Sequence, residues 1–216
     1  MDTRVTVVGN RPSYLNQIIF EMRDRKVQQD RMRFRRNLSR TGQILAYEIS
    51  KELEYESRTV TTPLGELDMH LPEAQPVIVS ILRAGLPFHQ GFLELFDEAD
   101  NGFIAAYRHI TKGNEFEIRI EYQAMPEITN RTMILVDPMI ATGKSLVMCH
   151  RQLLERGRPE RIFVAGVVAS EEGLEYVLRN IPNARIFVGS VDRELTAKSY
   201  IVPGLGDAGD LAFGPK

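Results

Sequence analysis

The sequence predicts an α/β fold, an open parallel sheet with flanking helices, on two observations. Five short apolar runs recur between positions 77 and 189, each about the length of a strand buried on both faces. Helix-length segments separate several of them, which is the alternation a parallel sheet with crossover helices requires. A chain of 216 residues, 43% hydrophobic and 26% charged, is long enough for one sizeable core.

The opening MDTRVTVVGN holds an acidic residue at once and only a brief apolar run, which does not make a signal peptide. No later segment approaches a membrane span, so a cytoplasmic protein is expected. Residues 14 to 56 read as helix, with Asp30 as N-cap and Leu38, Leu45, Ile49 and Leu53 on one face. Residues 58 to 70 read as a hairpin turned at Pro63 and Gly65. Together, residues 1–72 are expected to form a helical extension and hairpin packed on a core of residues 73–216, one domain overall.

Within that core the strands are VIVSIL (77–82), GFIAAY (102–107), MILV (133–136), RIFVAGVVA (161–169) and ARIFVG (184–189). A helix follows the first strand. Further helices occupy 143–156, stopped by Gly157 and Pro159, and 171–180. The segment 109–130 alternates at Phe116, Ile118, Ile120 and Tyr122 but is polar and broken by Gly113 and Pro126. A projecting hairpin or lid accounts for that pattern.

Composition excludes several functions. Lys and Arg total 27 against 29 Asp and Glu, so no global basic field draws in a nucleic acid. Eight basic residues crowd positions 23 to 40, but Asp24 and Asp30 interrupt them and only Phe34 is there to stack a base. A solvated or subunit-contacting face is the plainer reading, and it points to a homodimer or higher homo-oligomer. The single cysteine, Cys149, shares a helical face with Leu146 and Leu153 and reads as core. His70, His89, His109 and His150 lack metal-ligand spacing, so no protein metal site is expected.

Chemistry gathers at the carboxyl ends of the strands, where open parallel sheets bind ligands. Arg83, Arg108 and Asp137 directly follow three of the runs. By themselves they read equally well as an ion-pair cluster. The loop after Asp137 adds Ala141, Thr142, Gly143, Lys144 and Ser145 at a helix entry, where unpaired N–H groups and the helix dipole favour an anion. Its GKS ending imitates a Walker A loop, yet Pro138 stands where that loop needs its first glycine. A nucleotide kinase is thereby disfavoured.

Near the carboxyl terminus, Gly204, Gly206 and Gly209 spell GxGxxG, but the chain ends too soon for the rest of a dinucleotide fold. A flexible glycine-rich tail is the bland alternative. Against it, Tyr200, Ile201, Val202, Leu205, Leu211 and Phe213 favour packing, and glycines let backbone groups read the edge of a planar base.

The stretch DPMIATGKS resembles the ribose-phosphate loop of the type I phosphoribosyltransferases, in the proline-bearing form of the uracil phosphoribosyltransferases. The tail YIVPGLGDAGDLAFG is very similar to that family's uracil-binding segment, and LRAG, YR and FRRNLSRTGQILAYE extend the resemblance over most of the chain. It implies that Arg83 and Arg108 bind the diphosphate of phosphoribosyl diphosphate (PRPP). It implies that Asp137, Pro138, Met139, Ile140, Ala141, Thr142, Gly143, Lys144 and Ser145 bind the phosphoribosyl part, with a further contact from Asp207. Ile201, Gly206, Asp207 and Ala208 would bind uracil. Mg²⁺ would arrive on PRPP, and Asp137, Asp207 and Arg108 are the candidate catalytic residues.

Two departures from the family pattern stand out. Lys144 replaces a glycine, at a cost of about 1 kcal/mol if that position is left-handed. His109 to Lys112 replace an acidic, threonine-containing turn. They leave one rival open, a catalytically weak, pyrimidine-responsive RNA-binding regulator on the same fold.

Overall fold

Strands buried on both faces need two layers of helix, and the computed structural model supplies them. It describes residues 2–110 and 116–215, with the side chains of 106–110 and 116–120 outside that description. In chain order the elements begin with β1 (Val5–Val7), α1 (Tyr14–Arg23), α2 (Arg31–Ser50), β2 (Tyr55–Thr62), β3 (Gly65–Pro72) and β4 (Val77–Leu82). There follow α3 (Gly85–Leu93), β5 (Asp100–Ile110), β6 (Phe116–Ala124), β7 (Thr132–Val136), β8 (Met139–Ile140) and α4 (Lys144–Leu153). The chain closes with β9 (Arg161–Ser170), α5 (Glu171–Asn180), β10 (Ala184–Asp192), β11 (Glu194–Leu195), β12 (Ile201–Val202) and α6 (Ala208–Phe213).

The main sheet runs β1-β10-β9-β7-β4-β5-β6, with β8 added beside β9. Every pairing in it is parallel except β5 with β6, which form a projecting antiparallel hairpin. Alternate residues of one strand feed opposite cores. Ile78, Ile134 and Val136 pack under α1, α2 and α3, while Val77, Val79, Met133 and Leu135 pack under α4 and α5. This two-sided burial is why the strands read as unbroken apolar runs.

Two expectations are corrected. Residues 14–56 form not one helix but two: the Asp24 carboxylate accepts from the N–H groups of Lys26 and Val27 and turns the chain. Asp30 then caps α2 by accepting from Arg33 N, and α2 ends at Ser50, which leaves Leu53 outside it. β5 continues beyond Tyr107 to Ile110, so Arg108 lies within the strand rather than after it. The hairpin at 58–70 is present as β2 and β3, closed by Pro63 and Leu64 between the paired Thr62 and Gly65.

The chain leaves β4 through α3 to reach β5 on one side, and leaves β7 through α4 to reach β9 on the other. β4 and β7 are neighbours, so their carboxyl ends flank the switch point of the sheet, where α/β folds open a crevice. Among the described residues no helix is long and apolar enough to cross a membrane.

Candidate active site

Arg83 leaves the end of β4 and Asp137 leaves the end of β7, one on each side of that crevice. A cavity of about 340 Å³ opens there. Its walls include Arg83, Asp137, Met139, Ala141 and Ser145 from the strand ends and the loop, and Ile201, Gly206, Asp207 and Ala208 from the carboxyl-terminal segment. Beside it, a hollow of about 40 Å³ is lined by Asp137, Ile140, Ala141, Thr142, Gly143 and Ser145.

The loop is held from beneath. Pro138 O accepts from Val167 N and Val168 N at 3.0 and 3.1 Å, fixing the loop to β9. Ser170 Oγ donates to Ala141 O at 2.5 Å and accepts from Gly173 N at 2.8 Å, fixing it to the start of α5. A Cβ on Gly173 would sit 2.2 Å from Ala141 O, so only glycine permits this approach. Asp137 Oδ1 accepts from Met139 N at 3.2 Å. The first N–H groups of α4, at Lys144, Ser145 and Leu146, have no intrahelical acceptor and give the helix entry beside the hollow a partial positive charge.

The left-handed residue of this loop is Gly143, with φ of 70°. Lys144 begins α4 and is not among the positive-φ residues, so the strain expected of it does not arise. Its exposed side chain, like Pro138, is absent from the walls of both cavities. Arg108 has its backbone paired with Ile118, and its side chain lies outside the described residues, as do the side chains of His109 and Ile110 and all of Thr111 and Lys112.

In the carboxyl-terminal segment, Asp207 accepts from Asp210 N at 3.0 Å and caps α6. Arg83 Nη2 donates to Asp210 Oδ1 at 3.0 Å and to Gly214 O at 3.3 Å, so the cation at the end of β4 is tied to the carboxyl-terminal segment. Sequence reasoning had assigned no role to Asp210, although it is the second aspartate of the quoted GDAGD. Ser199 and Tyr200 also line the cavity; Ser199 adopts φ of 61°, for which a serine gives no local signal. Cys149, behind the loop, is buried and its thiol is pushed up to about 12, by burial first and by the nearby Asp137 charge second. It stays a protonated core residue, as its helical spacing suggested.

The chain as a whole is similar to known proteins. The family model for uracil phosphoribosyltransferase matches residues 11–215. A uracil phosphoribosyltransferase of Porphyromonas gingivalis is 48% identical over 210 residues, covering 97% of each chain. One of Pyrococcus furiosus is 40% identical over 204 residues, covering 93% of this chain and 86% of the other. Among solved structures, the AQ2163 protein from Aquifex aeolicus superposes with a TM-score of 0.86 at 30% identity, over 97% of this chain and 98% of its own.

Proposed function

The chain belongs to the uracil phosphoribosyltransferase family, and on that premise we propose how its residues divide the transfer of a phosphoribosyl group from PRPP to uracil. The products are UMP and diphosphate, so the enzyme is a pentosyltransferase of pyrimidine salvage. The match sides with this activity rather than with an RNA-binding regulator. One observation carries the division of labour: residues of a phosphate-suited loop, Asp137 to Ser145, and of a glycine-rich segment, Ile201 to Ala208, line one cavity together with Arg83.

In this reading the N–H groups of Gly143, Lys144 and Ser145, with the Thr142 and Ser145 hydroxyls, hold the 5-phosphate in the small hollow. Asp137 accepts from the ribose hydroxyls. A uracil ring nitrogen attacks the anomeric carbon from the side of Gly206 to Ala208 as the bond to diphosphate breaks, inverting that carbon. The transition state resembles an oxocarbenium ion, so the protein contributes mainly position and charge. Arg83 and Arg108 stabilise the departing diphosphate, for which guanidinium forks are suited. Asp207 is the carboxylate we assign to the uracil ring proton, and Ile201 packs on the ring.

The cavity is lined by the carboxylates of Asp137 and Asp207, and among the described residues no group of three or more His, Cys, Asp or Glu could hold a metal. That donor set fits Mg²⁺ entering on PRPP with its own phosphate and water ligands. When bound, the ion neutralises charge on the diphosphate. Exposed Tyr14, Phe20, Met32 and Tyr47 on α1 and α2, with Leu64 and Met69 on the β2–β3 hairpin, support a homo-oligomer. Light scattering after size-exclusion chromatography measures its order.

The activity test supplies PRPP and Mg²⁺ with uracil, cytosine, hypoxanthine or orotate and follows products by chromatography. UMP from uracil alone is expected. Product from another base in preference to uracil would refute the assignment.

A further inference from the structure

A base read by backbone groups depends on how the backbone itself is anchored, since no side-chain rotamer can correct a displaced main chain. Two cations of the amino-terminal extension supply such anchors, one on either side of Gly206 to Ala208. At the end of α1, Arg23 makes a two-pronged ion pair with Asp192, Nη1 to Oδ2 at 2.8 Å and Nη2 to Oδ1 at 2.9 Å. The same guanidinium donates to Gly204 O at 2.9 Å and to Ser190 Oγ at 2.8 Å. Asp192 Oδ2 in turn accepts from Gly204 N at 2.9 Å. Both backbone polar groups of Gly204 are therefore held by one charge pair, whose side chains are only 20% and 8% exposed. Gly204 itself turns at φ of 55°, where a Cβ would meet Ile201 O at 2.2 Å.

Twelve positions after Arg23, α2 supplies the other anchor. Arg35 Nη1 donates to Ala212 O at 2.7 Å, in the last turn of α6. Gly206, Asp207 and Ala208 lie between the two held points.

We propose that Arg23, with Asp192, and Arg35 are positioning residues that clamp the backbone on either side of Gly206 to Ala208 and so set uracil affinity without touching uracil. The proposal rests on the assignment of Ile201 to Ala208 as the base site. It also gives part of the basic run at positions 23 to 40 a task inside the protein. Charge-assisted, bidentate pairs are directional, and lysine cannot reproduce the four donor contacts of Arg23. An error of about 1 Å in a positioned reactant costs up to about a hundredfold in rate.

The test compares wild type with Arg23→Lys, Asp192→Asn and Arg35→Met, in each case measuring KM for uracil, kcat, PRPP affinity by calorimetry without uracil, and the melting temperature. The proposal expects uracil KM to rise by about tenfold or more in the first two variants, equivalent to about 1.4 kcal/mol. PRPP affinity should fall by a clearly smaller factor than uracil affinity, because the Asp137 loop that carries most of its assigned contacts is anchored independently. The double variant Arg23→Lys/Asp192→Asn should be no worse than the worse single one, since both break one unit. Uracil KM within about twofold of wild type, or uracil and PRPP parameters shifted by the same factor, overturns the proposal. Should Arg23→Lys fail to fold, the near-isosteric Asp192→Asn and the single-bond Arg35→Met decide it by the same criteria. Wild type that makes no UMP from uracil is a different result: it overturns the base-site assignment on which the proposal stands.

Discussion

Replacing Gly143 by alanine separates the two glycine-like positions of the phosphate loop. At φ of 70° an L-residue is strained by about 1–2 kcal/mol. The new Cβ would also lie 2.7 Å from Gly173 O and 2.9 Å from a Val177 methyl. The first of these is backbone at the start of α5 and cannot rotate away, and overpacking of this kind costs about 1–3 kcal/mol. The combined loss is about 2–5 kcal/mol, which lowers the melting temperature of a chain this size by at least about 4 °C. Because relief comes only by moving the loop off α5, PRPP KM should rise with it. Lys144→Gly is the matched control. Lys144 is an exposed first residue of α4, so its replacement changes stability by less than about 1 kcal/mol through helix propensity alone. Differential scanning calorimetry and PRPP titration measure both. Equal melting temperatures for the two variants, or a gain from Lys144→Gly above about 1 kcal/mol, would refute the placement of the left-handed residue at Gly143.

Asp137→Asn should weaken PRPP binding by roughly 1.5–3 kcal/mol, the worth of a charged hydrogen bond, while leaving uracil binding less affected; calorimetry showing unchanged PRPP affinity would refute its role. His89 and His150 are both lowered from the usual histidine value, chiefly by burial. The unfolded chain therefore binds more protons, so the stability they contribute is full above about pH 6.5 and is lost as pH falls below it. Melting temperatures from pH 8 to pH 5 should decline more steeply below that point in wild type than in His150→Gln. Cys149 is buried, with its thiol pushed up to about 12, and should resist a disulfide reagent in the native state yet react on unfolding. Native reaction at the unfolded rate would place it elsewhere.

What was legible in the sequence is what depends on neighbours in the chain. The strands at 77–82 and 133–136 announced themselves because both faces are buried, and the helix at 171–180 because its apolar face is periodic. Asp30 was readable as a cap because its acceptor role is three residues away, at Arg33 N. The short strand Val5–Val7 was not readable: its partner, β10, lies far along the chain and three residues carry too little pattern. The break at Asp24 was hidden because a helical period continues through it until the carboxylate's two backbone bonds are seen. The same distinction holds at the site. Asp137 and its loop form one contiguous motif, whereas the tie from Arg83 to Asp210 spans 127 positions and that from Arg23 to Asp192 spans 169. Lys144 looked strained only because a pattern of letters does not say which residue of a loop takes the positive φ.

The most direct test of the account is a crystal structure of the protein with UMP. The nucleotide's phosphate is expected within hydrogen-bonding distance of Thr142, Gly143 and Ser145, its ribose hydroxyls on Asp137, and the edge of its uracil along Gly206 to Ala208. Phosphate bound elsewhere, or a base turned away from the carboxyl-terminal segment, would contradict it.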